Sequence, residues 1–167
     1  MLGRIRTLIK REPARTEELA LTEVVRQALE LVRPHVLRHA IVLRTELEYD
    51  LPAIVGDSVQ LQQVLLNLIM NAIEATADNL RKEREVTIFC GVRTPGEVTV
   101  EVRDTGVGID PAQMEQLFAP FYTTKARGMG MGLSISRSII EAHGGHLGAS
   151  PNAGPGATFY FSVPAPA

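Results

Sequence analysis

Cysteine is almost absent from this chain of 167 residues: Cys90 stands alone, so no disulfide can close within it, and a reducing compartment is the natural setting. Cys90 lies in the apolar run 86–92, where a buried, unreactive thiol is expected. Long hydrophobic runs are missing too. The longest, residues 64–73, is broken by Asn67 and Asn71, so nothing here is built to span a bilayer. The first ten residues mix apolar and basic side chains and lack the apolar centre of a signal peptide. Nor does one charge dominate: 17 Lys and Arg against 19 Asp and Glu leave a formal net charge of -2. Neither nucleic acid nor an anionic membrane has an electrostatic reason to bind. The expectation is a cytoplasmic chain, or the cytoplasmic part of something larger.

What remains is enough for one well-buried domain and too short for two. Residues 1–12 read as a basic helical piece with Leu2, Ile5, Leu8 and Ile9 on one side, ended by Pro13 and followed by a polar connector to Glu18. Thr22 is the expected cap of a helix carrying Val24, Val25, Ala28, Leu29 and Val32 on its apolar face, which Pro34 should kink or end. Residues 41–47 read as a strand, with a turn at 50–52.

Asp57 opens the longest helix, with Gln60 placed to reach back as in a capping box. Leu61, Val64, Leu65, Leu68, Ile69, Ala72 and Ile73 form its apolar face, and Asn67, Asn71, Glu74 and Asp78 a second, polar stripe. Residues 86–92 and 97–103 form a hairpin around Thr94-Pro95-Gly96, with Val98, Val100 and Val102 inward and Glu97, Thr99, Glu101 and Arg103 outward. Asp110-Pro111 starts a short helix. A glycine-rich loop leads into a helix at 133–143, stopped by Gly144-Gly145, and strands at 146–149 and 157–163 finish the chain. Antiparallel hairpins beside a few helices predict an α+β two-layer sandwich.

Glycines cluster at Asp104-Thr-Gly106-Val-Gly108, Gly128-Met-Gly130-Met-Gly132 and Gly154-Pro-Gly156. Such spacing lets a backbone turn sharply and approach a ligand, and the helix after Gly132 would present amides to a phosphate. Neither Gly-x-x-x-x-Gly-Lys-Ser/Thr nor a strand-to-helix Gly-x-Gly-x-x-Gly is present. Asn67 and Asn71 lie beside a core, where an amide needs partners. Asn71 could offer its oxygen to Mg²⁺, or both could cap neighbouring backbone.

Asn67-Leu-Ile-Met-Asn71-Ala-Ile-Glu-Ala75 resembles the asparagine box of the histidine kinase and gyrase-type ATPase superfamily. Asp104–Ile109 resembles its first glycine box, Phe118-Ala-Pro120-Phe121 the phenylalanine box, Gly128–Leu133 the second glycine box, and Gly154–Phe159 the terminal one. All occur in family order, so the resemblance covers roughly residues 21–164. The short lid around Lys125 and the phrase Gly-Met-Gly-Met-Gly-Leu-Ser-Ile look most like kinases related to rhizobial oxygen sensors and nitrogen regulators.

The resemblance implies a Bergerat-type fold, a mixed, mostly antiparallel sheet packed against about three helices, holding ATP between the asparagine helix and the lid. It implies that Asp104 accepts the adenine amino group, that Gly106, Gly108 and Ile109 pack against the base, and that Thr158 supports Asp104 directly or through water. Asn71 would hold Mg²⁺ with Asn67 beside it, Lys125 would meet the terminal phosphates with Arg127 behind it, and Phe118 and Phe121 would anchor the lid. Thr124, Gly128, Gly130, Gly132 and Leu133 complete the implied ATP contacts. Many relatives carry a basic residue where this chain has Glu74 and an aromatic where it has Ala75; this departure shifts phosphate neutralisation towards Mg²⁺ and the lid.

On that resemblance, residues 1–18 are the remnant of a helical dimerisation and phosphoacceptor domain with its connector, and residues 19–167 the ATP-binding catalytic domain. None of the four histidines has the His-Glu or His-Asp start of a phosphoacceptor. The implied function is therefore γ-phosphoryl transfer from ATP to a histidine on a separate domain, with a response regulator as indirect partner and the isolated chain monomeric. Two alternatives remain. An ATP-hydrolysing switch of the same superfamily would need a glutamate base where this chain has Asn67. A non-catalytic nucleotide-binding module would use the same binding residues.

Overall fold

The computed structural model describes residues 16–77, 83–119 and 132–166. The helical piece expected at 1–12, Asp78 and the glycine-rich loop expected within 120–131 lie outside the described residues. In chain order the elements are β1 (Glu17–Leu19), α1 (Leu21–Arg38), β2 (Val42–Leu47), β3 (Ile54–Gly56), α2 (Ser58–Ala77), β4 (Glu85–Gly91), β5 (Glu97–Asp104), a 3-10 helix (Pro111–Phe118), α3 (Gly132–Ala142), β6 (His146–Pro151) and β7 (Ala157–Pro164). Five strands form one sheet in the order β2-β4-β5-β7-β6. The β2–β4 pair is parallel and the others antiparallel, so the sheet is mixed and mostly antiparallel. With three α-helices packed as a second layer, the α+β sandwich is as expected.

The central helix explains the layering. α2 packs between α1 and α3 and over β4 and β5. It therefore buries a wide stripe, Leu61, Val64, Leu65, Leu68, Ile69, Ala72 and Ile73. Each of the Leu, Ile and Val side chains contributes roughly 1.5–3 kcal/mol on removal from water. α1 buries the narrower set Leu21, Val24, Val25, Ala28, Val32 and Val36. No helix among the described residues is long and apolar enough to cross a membrane.

Several local expectations are corrected. Thr22 does not cap α1: the helix begins at Leu21 with Ala20 before it and no side-chain cap, because buried Leu21 starts the apolar stripe one residue early. Pro34 does not end α1, which continues to Arg38. Glu30, whose carbonyl loses its N–H partner there, is exposed like Pro34, so water can serve that carbonyl while buried Val32 and Val36 hold the helix on the core. Asp57 does cap α2, its Oδ1 accepting from Val59 N at 2.9 Å and Gln60 N at 3.1 Å. Its own N–H, however, goes to His143 Nε2 rather than back to Gln60. Finally, Glu17 and Glu18, read as connector, pair with β3 in a two-stranded sheet.

Thr99, expected outward, is buried, while Val98, Val100 and Val102 face the core as alternation requires. Arg84 closes the helix layer: its Nη1 donates to His39 O at 3.0 Å and its Nη2 to Ala77 O at 3.4 Å. One guanidinium thus serves terminal carbonyls at the ends of α1 and α2, where a cation is favoured.

Candidate functional site

Strand parity creates the first half of the site. Along β5, Val98, Val100, Val102 and Asp104 share the inner face, so the alternation that buries three valines also buries a carboxylate. Asp104 is 2% exposed. Its Oδ1 accepts the N–H of Gly106 at 2.9 Å and of Ala157 at 3.3 Å. Thr105 points the other way, its Oγ1 accepting from Glu85 N at 3.0 Å, which ties the end of β5 to the start of β4.

The glycines allow the close approaches. A Cβ at Gly106 would lie 2.5 Å from the Ala75 backbone, so this loop rests directly on α2. Gly156 has φ +92, and a Cβ there would overlap the carbonyl oxygen of Asp104. The first and terminal glycine boxes, distant in sequence, therefore close around one aspartate.

Thr158 supports Asp104 through a residue that sequence reasoning missed. Its Oγ1 donates to Asn152 Oδ1 at 2.6 Å, and Asn152 Nδ2 donates to the backbone oxygen of Asp104 at 2.9 Å. Asn152 sits in a Pro- and Gly-rich turn where asparagine is commonplace, so no sequence signal singled it out. Close by, Thr76 Oγ1 is fully buried with no hydrogen-bond partner among the described residues, one position beyond the Ala75 backbone that Gly106 touches.

The second half lies two turns earlier on α2. Asn67 Nδ2 donates to Ser136 Oγ at 3.2 Å, and a Cβ at Gly132 would come within 2.5 Å of Asn67 Oδ1. The amide thus engages a side chain of α3 and the first residue of that helix. Asn71, one turn further along α2, is half-buried. Gly108 is held at φ +83 against Gly156. Ile109, Phe118 and Leu133 are partly buried against the core, and the Arg137 guanidinium carbon lies 5.5 Å from the Phe118 ring centroid. Asp104, Gly106, Gly108 and Thr158 thus converge at one end of α2, and Asn67 and Gly132 meet along it. Thr124, Lys125, Gly128 and Gly130, with Phe121 and Arg127, lie outside the described residues. Among the described residues no group of three or more His, Cys, Asp or Glu could hold a metal ion.

A buried carboxylate boxed by glycines beside an asparagine helix defines a class. Residues 56–167 match the family described as histidine kinase-, DNA gyrase B-, and HSP90-like ATPase, and the chain belongs to it. Within it the chain is an ATP-binding catalytic domain of the sensor histidine kinase type. It is 38% identical to the C4-dicarboxylate transport sensor protein DctS of Rhodobacter capsulatus over 99% of this chain and 25% of that protein. It is 41% identical to the sensor protein FixL of Bradyrhizobium diazoefficiens over 99% of this chain and 32% of that protein. The chain therefore spans a quarter to a third of these relatives. Among solved structures it is similar to full-length ShkA in complex with AMPPNP, with TM-score 0.79 and 29% identity over 92% of this chain and 32% of that one. It is equally similar to the nucleotide-free catalytic domain of histidine kinase ThkA, with TM-score 0.79 and 33% identity over 90% of this chain and 95% of that one.

Proposed function

We propose that this domain binds Mg-ATP, with Asp104 selecting adenine, and delivers the γ-phosphoryl group to a histidine on a separate phosphoacceptor and dimerisation domain of its parent kinase. A response regulator then receives the group from that histidine. The observation that carries the reading is the buried Asp104 carboxylate, oriented by two backbone amides. An ionised carboxylate only accepts hydrogen bonds, so it complements an exocyclic amino group and opposes a carbonyl in the same place.

Mg²⁺ takes oxygen ligands and draws several from phosphates and water, so a single neutral amide oxygen from the protein suffices. Asn71, half-buried on the polar stripe of α2, fits that requirement. When bound, the ion neutralises charge on the phosphates. Lys125, with Arg127 behind it, supplies further positive charge from the loop that follows Phe118. Thr124, Gly128 and Gly130 of the same loop line the phosphates. Catalysis is then positioning and charge neutralisation.

Asn67 favours this over an ATP-hydrolysing switch. Its amide spans from α2 to α3 and cannot take a proton from water. Residues 19–167 form the ATP-binding domain, with β1 drawing the last two connector residues, Glu17 and Glu18, onto it. The domain acts in the cytoplasm and as a monomer when isolated. Incubation with labelled ATP and a separately made phosphoacceptor domain tests the proposal. Acid-labile, base-stable label on the acceptor is expected. Release of free phosphate alone favours the switch, and neither outcome leaves a binding module.

A further inference from the structure

We infer that Asn152 is a positioning residue for nucleobase selection, setting where the Asp104 carboxylate stands; this rests on the reading of Asp104 as the adenine contact. Asn152 occupies the turn between β6 and β7, outside every glycine box, and is half-buried. Its carboxamide is committed at both ends. Nδ2 donates to Asp104 O at 2.9 Å and to Pro155 O at 3.1 Å, while Oδ1 accepts from Thr158 Oγ1 at 2.6 Å. The orientation is forced: two carbonyl oxygens face one end and can only accept, so that end must be the NH₂.

The turn is also closed by Asn152 N–H donating to Gly156 O at 3.2 Å. Gly156 then presses against the Asp104 carbonyl without a Cβ, and the next residue, Ala157, gives its N–H to Asp104 Oδ1. One side chain therefore holds the main chain of Asp104 and folds the turn that orients its carboxylate. Such a network is stiff when complete, and loses its geometry when one member leaves polar groups unmatched. A loose carboxylate still tolerates a base but no longer rewards an amino group in one place.

The test measures binding of ATP and of the 6-desamino analogue, purine riboside triphosphate, to the chain by calorimetry. The wild-type chain is expected to prefer ATP by roughly tenfold or more, the value of a hydrogen bond to a charged group. Asn152→Ala should weaken ATP about tenfold and the analogue by less than about twofold, shrinking the preference. Thr158→Val, which removes the hydroxyl that orients the carboxamide, should act in the same direction, and Thr158→Ser should restore the wild-type preference. If Asn152→Ala fails to fold by circular dichroism, the Thr158 pair decides. Equal weakening of both nucleotides, or of neither, overturns the role of Asn152 and leaves Asp104 as the adenine contact. A wild-type chain that does not distinguish the two nucleotides overturns the Asp104 reading, and this inference with it.

Discussion

His143 Nε2, at the end of α3, accepts the backbone N–H of Asp57, at the start of α2, at 3.0 Å. The other ring nitrogen, Nδ1, lies 2.8 Å from Ile139 O. Since Nε2 accepts, the hydrogen must be on Nδ1, so the ring is neutral and both nitrogens are committed. The ring also fills space that a Cβ at Gly56 would need, 2.8 Å from His143 Cδ2. His143→Ala should cost about 1–3 kcal/mol by leaving a part-buried donor unmatched. Denaturant unfolding measures the cost, and nitrogen-detected NMR should show the Nδ1–H tautomer. A variant as stable as the parent would mean the contact contributes nothing.

Gly106 and Gly154 belong to similar glycine clusters but differ in surroundings. A methyl at Gly106 meets the Ala75 backbone at 2.5 Å, whereas a methyl at Gly154 meets nothing within 4 Å. Backbone cannot step aside as a side chain can. Gly106→Ala should therefore destabilise by roughly 2 kcal/mol or more and weaken nucleotide binding, and Gly154→Ala should stay within about 0.5 kcal/mol of the parent. Equal unfolding midpoints for the two variants would contradict the packing of this loop on α2.

Burial pushes the Cys90 thiol up from its ordinary 9.0 to about 11, and the Thr22 hydroxyl 4.0 Å away only partly offsets it. The folded chain thus keeps a proton that the unfolded chain releases between pH 9 and 11. With fewer protons on the unfolded state, stability falls as pH rises through that window, by on the order of 2 kcal/mol, and the contribution is intact below it. The loss should be absent from Cys90→Ala, so the two unfolding free energies converge as pH rises. Parallel curves would show that the thiol is not the group responsible. Alkylation of native Cys90 near neutral pH should be correspondingly slow.

Periodicity made much of this legible. The stripe of α2, the alternation of β5 and the glycine clusters all announce themselves within a few residues, and Asp104 falls at the buried parity of its strand. What stayed hidden depends on partners far along the chain. The Asn152 and His143 contacts span 48 and 86 residues, and no local pattern reports them. β1 and β3 hold three residues each, too few to show a period. Thr22, which does not cap α1, and Pro34, which does not end it, show the reverse error, where a sound local rule yielded to buried neighbours, Leu21 in one case and Val32 and Val36 in the other.

Asp104→Asn separates charge from shape. The asparagine oxygen can still accept from Gly106 N and Ala157 N, so the fold should survive. The NH₂ that replaces the second oxygen cannot accept from adenine. ATP binding should weaken by roughly 10- to 100-fold, while GTP, expected to bind the parent much more weakly than ATP, loses less or gains. Calorimetric titration with both nucleotides measures the ratio. Equal affinity of the parent chain for ATP and GTP would overturn this view of the pocket.

The last prediction concerns self-phosphorylation. Transfer requires an acceptor nitrogen in line with the γ-phosphate and a nearby group to manage its proton. None of the four histidines of this chain is followed by Asp or Glu: Val36, Ala40, Gly144 and Leu147 follow His35, His39, His143 and His146. The structure adds a reason for two of them. His143 has both ring nitrogens bonded. His146 stacks obliquely beside Tyr160, with ring centroids 6.2 Å apart, and lies on β6 rather than on a helix that could present it. The isolated chain should therefore bind ATP, hydrolyse it slowly, and acquire no acid-labile, base-stable phosphate. Adding the matching helical phosphoacceptor domain in trans should restore weak transfer, because without a tether the effective concentration of the acceptor is low. Robust label mapped to any of these four histidines would show that the chain carries its own acceptor.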